Sequence, residues 1–159
     1  MKKVLFLLLL VTGASRACLA TDYNSEELLS LIKLSQEAAT PANITSMLGK
    51  PSKVEDDKKR TVWYYDHGNS SLVISWNKKS SQLEKFSFSD DLVEKSVFDI
   101  RTSKRLQSGV TSLTDAFKIL GTPMDMTVKE MTQELHYSYQ NKILRLFFRN
   151  KTLVDYTLY

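Results

Sequence analysis

Apolar positions along this chain recur with two periods, one suited to helices and one to strands, and the two come in blocks. Leu28, Leu29, Leu31, Ile32, Leu34 and Ala38 fall at helical spacing, behind a start signal of Ser25 followed by Glu26 and Glu27. Thr40-Pro41 then opens a shorter helix with Ile44, Met47 and Leu48 on one side, stopped by Gly49 and Pro51. From Thr61 the period shortens to two, the spacing of strands with one face buried. Thr61-Val62-Trp63-Tyr64-Tyr65 reads as an aromatic strand, Leu72 to Trp76 as an apolar one, and Leu83 to Phe88 as a third. Polar runs, Ser52 to Arg60 and Met124 to Glu134, lie between helix stop and strand, and the first, with its charges from Glu55 to Arg60, reads as a solvated loop.

The same order returns 72 positions later. Leu48-Gly49-Lys50-Pro51 is answered by Leu120-Gly121-Thr122-Pro123, and the aromatic strand by Leu135-His136-Tyr137-Ser138-Tyr139. A recurrence of this length marks a repeated supersecondary unit. It predicts an α+β fold of two tandem helix-helix-β-meander units, about 24–90 and 92–159. Their helices would pack on one face of a six- or seven-stranded antiparallel sheet. Residues 92–105 fit a further strand or a helix equally well.

Comparison of the copies separates the two faces of that sheet. Leu135, Tyr137 and Tyr139 alternate with Glu134, His136 and Ser138, so the first set is the buried one, and matched parity puts Thr61, Trp63 and Tyr65 with it. Leu72, Ile74 and Trp76 match Leu144, Leu146 and Phe148, and Phe86 and Phe88 match Tyr156 and Leu158. The opposite face is left with Tyr64, His136, Arg145, Phe147 and Arg149 among its larger side chains. Arginine and aromatic residues are enriched at the centres of protein interfaces, so these five are the candidate protein-binding residues.

Charge and targeting signals change where this domain is expected to work. Lys2 and Lys3, the apolar run Val4 to Val11 and a small-residue tail to Ala20 form a secretory signal, too short to span a bilayer. Its removal at residues 1–20 leaves one 139-residue domain, 21–159, and takes the formal charge from +4 to +1. A near-neutral domain offers no broad attraction to nucleic acid or anionic membrane. The expected location is the periplasm or the exterior, or the outer membrane if Cys18, the one cysteine and a candidate lipidation site, carries an anchor. The expected partner is another envelope or secreted protein.

Reactive chemistry is sparse. His67 and His136 lack metal-ligand spacing, and the chain carries no nucleophile elbow, phosphate loop or dinucleotide fingerprint. Asp56-Asp57 and Asp90-Asp91 read as turn residues. The expectation is a non-enzymatic protein without cofactor or catalytic residues.

The order helix, Leu-Gly-x-Pro, aromatic strand, apolar strand, Asn-Lys turn resembles the SmpA/OmlA-type outer-membrane assembly lipoproteins. Leu106 to Leu158 is the closer copy, with Gly109, Thr111, Leu120, Gly121, Pro123 and Tyr137 in the expected order, and residues 40–88 are the weaker one. Two copies on one sheet are similar to the β-lactamase-inhibitory-protein architecture. The resemblance implies an envelope protein that binds other proteins through its open sheet face and adjoining loops. A secreted inhibitor of a hydrolase, with Glu55 to Lys58 or His67 to Asn69 entering the enzyme's cleft, is one alternative. A small-ligand or lipid carrier is another.

Overall fold

The computed structural model describes residues 23–37, 39–91 and 99–159. The secretory signal, its cleavage sites and Cys18 lie outside them, as does the first half (92–98) of the segment left open between strand and helix.

Eight antiparallel strands follow one another across a single sheet in chain order. They are β1 (Lys53–Asp56), β2 (Arg60–His67), β3 (Ser70–Asn77), β4 (Leu83–Asp90), β5 (Asp125–Lys129), β6 (Thr132–Tyr139), β7 (Lys142–Arg149) and β8 (Thr152–Leu158). Helices α1 (Ser25–Gln36) and α2 (Pro41–Leu48) precede β1, while α3 (Ile100–Ser103) and α4 (Leu113–Leu120) lie between β4 and β5.

This overturns the expected architecture in two respects. The sheet has eight strands, because both polar runs contain one, the first of them in the run read as a solvated loop: β1 and β5 pair with the aromatic strands that follow them. In addition, α3 has four residues where a second helix-helix-β unit needs a long helix, so the chain is not two such units. The β5 strand had its signal in plain view. Met126 and Val128 alternate with Asp125, Thr127 and Lys129, and both are fully buried. In β1 only Val54 is apolar, and it is half exposed at the sheet edge.

What recurs at the 72-residue spacing is geometry. Thr40 and Ser112 cap α2 and α4, each hydroxyl accepting from a backbone N–H three residues on. Gly49 and Gly121 end those helices at φ +80° with ψ −161° and −156°, a conformation that side chains with a Cβ avoid. The β2–β3 and β6–β7 hairpins have matching bounds in the two halves.

Inner-face positions meet in transverse rows. One runs Tyr65, Leu72, Phe88, Met126, Leu135, Leu146, Tyr156 from β2 to β8. Its central members are fully buried, and with Leu28, Leu31, Ile32, Ile44, Ala116 and Phe117 of the helices they form one core. Each such aliphatic or aromatic side chain contributes about 1.5–3 kcal/mol by leaving water. The parity read from the sequence holds at Tyr156 and Leu158 too, yet both are exposed, because the core stops short of the last strand's tail. The capping box of Asn24 and Glu27 starts α1, and the Ser25 hydroxyl meets that of Thr122 at 2.6 Å. That contact ties the first helix to the turn after α4.

Candidate protein-binding surface

The face opposite the core is built of three transverse rows, set by the register of all eight strands. The middle row reads Lys53, Tyr64, Val73, Ser87, Thr127, Glu134, Phe147, Asp155. Above it lie Asp66, Ser71, Ser89, Asp125, His136, Arg145 and Thr157, and below it Glu55, Val62, Ser75, Lys85, Lys129, Thr132, Arg149 and Thr152. The centre is therefore floored with small hydroxyl residues. Ser71 meets Ser89 at 2.9 Å and Ser87 meets Thr127 at 3.4 Å. Larger side chains stand on either flank.

Four of the five residues singled out from the sequence come together on β6 and β7. His136 lies directly opposite Arg145, and Phe147 and Arg149 continue along β7. Tyr64 shares Phe147's row but sits five strands away, about 24 Å at the usual strand spacing. The five residues are thus two clusters on one face, with the hydroxyl floor between them.

Electrostatics bind the β6–β7 cluster. Arg145 Nε donates to Glu134 Oε1 at 2.7 Å, and His136 Nε2 lies 2.9 Å from the same oxygen. The Arg145 guanidinium, helped by His136, holds the Glu134 carboxyl below its ordinary range. On its other side His136 Nδ1 is 3.5 Å from Asp125 Oδ1, whose carboxyl partial burial pushes up. These orienting carboxylates were missed by sequence reasoning, which saw nothing to position His136. Asp125 lies in the second polar run, and only the β5–β6 register brings it there. Beside this cluster Arg145, Phe147, Asp155, Tyr156 and Thr157 line a shallow hollow of about 260 Å³.

At the far flank Tyr64 donates its hydroxyl to Glu55 Oε2 at 2.8 Å, which raises the phenol's pKa, and Lys53 Nζ lies 5.3 Å from its ring centroid. The two segments considered for insertion into an enzyme cleft are both held in place. Glu55 is paired with Lys53 at 2.6 Å, and the His67 ring packs edge-on against Tyr23 at 5.1 Å. Among the described residues no group of three or more His, Cys, Asp or Glu is placed to hold a metal ion.

An antiparallel sheet with a helical layer on one side and an open, mixed polar and aromatic face on the other defines the class. The fold is similar to that of a candidate beta-lactamase inhibitor protein from Streptococcus mutans. The TM-score is 0.52 at 12% identity, over 85% of this chain and 96% of that one. A DUF4309 family protein from Bacillus subtilis also aligns (TM-score 0.29, 13% identity, 84% of this chain and 94% of that one). So does an extracellular SCP-domain protein from Bacillus anthracis (TM-score 0.32, 10% identity, 79% and 44%). The last two superpose too loosely to bear on the argument, and the first speaks to fold alone. No family model matches the chain, the SmpA/OmlA type included. No curated protein matches it either.

Proposed function

We propose that this chain is a non-enzymatic, exported protein-binding module of the bacterial envelope, and that it grips another envelope or secreted protein with the face opposite its helices. The observation that carries the reading is the build of that face: a low hydroxyl floor on β3 to β5, flanked by Tyr64 on one side and Phe147 with Arg145 on the other. Such a profile accepts a protruding loop, while Tyr and Arg at its walls supply the contact types that dominate interface energies. The charge cluster around His136 supports binding over catalysis. Glu134 is held as a carboxylate by Arg145, which makes it a poor proton donor or acceptor near neutral pH. The basic, apolar and small-residue pattern of residues 1–20 supports export.

Partner capture from an envelope extract tests the reading, with wild type, Tyr64→Ala and Phe147→Glu as baits of equal stability. Loss of one specific protein with either substitution is the expected result. Equal recovery by all three baits defeats the assigned surface.

A narrower reading, favoured by the fold likeness to a candidate beta-lactamase inhibitor protein, is that the partner is a secreted hydrolase. It predicts a one-to-one complex that blocks turnover. A panel of envelope hydrolases left fully active by micromolar protein counts against it.

A further inference from the structure

The lower row of the open face carries positive charge that no ion pair takes up among the described residues. Lys85 on β4 and Lys129 on β5 are direct cross-strand partners, both exposed. Like charges in that position oppose sheet pairing. Arg149 stands in the same row two strands further on. Among the described residues none of the three makes an ion pair.

Most of the nearby acids are already committed, and Asp125, which feels the Lys85 charge, stands against His136. Glu84 accepts from Arg60 Nε at 2.9 Å and from Asn77 Nδ2 at 2.8 Å. Glu134 is held by Arg145 and His136, and Glu55 by Lys53 and Tyr64. Glu130, in the β5–β6 turn, borders the lysines without an ion pair to either. The two lysines, Arg60, Ser75, Glu84, Thr127 and Glu130 enclose an open hollow of about 480 Å³, room for one or two side chains. Every other ionic cluster on this face closes on itself, and this one is left open.

We infer that the hollow between Lys85 and Lys129 receives a carboxylate from an acidic segment of the partner protein, with Arg149 answering a second carboxylate further along the row. This rests on the reading of the open face as the contact surface. Two lysines at one strand spacing bracket a single carboxylate, and Ser75 and Thr127 offer hydroxyl donors to it. The row from Lys85 to Arg149 spans three strand intervals, about 14 Å. An extended segment covers that distance in about four residues. A nucleic-acid backbone or an anionic membrane fits less well. The basic stretch, one lysine pair and one arginine, is too narrow to neutralise many phosphates of a continuous line.

The test is an amide-shift titration of the intact domain with a capped hexapeptide of alternating Glu and Ser. Its Gln-for-Glu counterpart, inorganic phosphate and a twelve-residue oligothymidylate serve as separate arms. The expected result is saturable movement of the amides of Ser75, Lys85, Thr127 and Lys129 with the Glu peptide only. Its affinity should drop at least fivefold in Lys85→Gln/Lys129→Gln. Equal affinity for the double variant, equal binding of the Gln peptide, or tighter binding of phosphate or oligonucleotide overturns the inference. The same double variant, used as bait beside Phe147→Glu, separates the two levels of the proposal. Capture lost with Phe147→Glu but kept with the lysine variant sinks the acid-binding ledge and leaves the contact face standing. Capture kept by both sinks the face as well.

Discussion

Tyr65 and Tyr137 do the same work in the two halves of the chain, at different depths. Each stands on the second strand of its half and donates its hydroxyl to the carbonyl of the glycine that ends the preceding helix. Tyr65 reaches Gly49 at 3.4 Å and Tyr137 reaches Gly121 at 3.1 Å. Carbonyls at a helix C-terminus lack intrahelical partners, so a buried hydroxyl arriving from the sheet satisfies one and fixes helix to strand. The second clamp is enclosed between β5 and β7, two strands from the nearer edge. The first lies one strand from the edge, where Trp63 and Trp76 pack at 5.2 Å and Trp63 is partly buried. The same device is therefore predicted to matter more where it is sealed from water.

Both rings are fully buried, and the largest separation between the halves is expected from Tyr137→Ala, further inside the sheet, as against Tyr65→Ala one strand from its edge. Urea unfolding should show losses of about 4 and about 3 kcal/mol respectively. Equal losses break the depth argument. Gly49→Ala and Gly121→Ala sharpen it from the other side. Both glycines have the same positive φ and open space around a built Cβ, so the cost is conformational alone. Each should lose about 1–3 kcal/mol, by equal amounts. Tyr→Phe substitutions remove only the hydroxyl, and the expected losses are about 2 kcal/mol at 137 and about 1 kcal/mol at 65.

Alkali acts on the same pair. Burial pushes the Tyr65 phenol up to about 12 and drives Tyr137 upward as well. Below pH 10 both are protonated in folded and unfolded chains. Above it the unfolded chain releases protons that the folded one keeps, so stability falls as pH rises through 10 to 12. The slope is about 1.4 kcal/mol per pH unit for each tyrosine, and Tyr137→Phe should remove its share. An unfolding midpoint that stays level from pH 9 to 11 contradicts this.

Smallest of all is the effect expected from Lys129→Glu, which turns a repelling cross-strand pair into an attracting one. Its thermal midpoint should rise by about 1–3 °C.

Much of the inner face was legible in the sequence, because matching strand patterns 72 positions apart allow parity to be checked twice. Leu72, Ile74, Trp76 and their partners Leu144, Leu146 and Phe148 are buried as read. The strand count was legible only in part: β1 has a single apolar residue, whereas Met126 and Val128 of β5 alternate with polar residues as a half-buried strand requires. Nor could sequence place Lys85 beside Lys129 or Asp125 beside His136. The β4–β5 pairing that joins the halves links residues about forty positions apart, and local periodicity carries no trace of it. Gln133 marks a further difference between the copies. It is wholly buried, and its side-chain amide finds no protein partner among the described residues, whereas its counterpart Thr61 donates to Asp56 at 2.6 Å.

The most direct test of the contact face is photocrosslinking in the native envelope from two positions on opposite sides of the molecule. A crosslinking residue in place of Thr127, at the centre of the open face, should give one discrete adduct with another envelope protein. The same residue in place of Ser46, on the solvent side of α2, should give none. Adducts from position 46 alone, or from neither position, contradict the account.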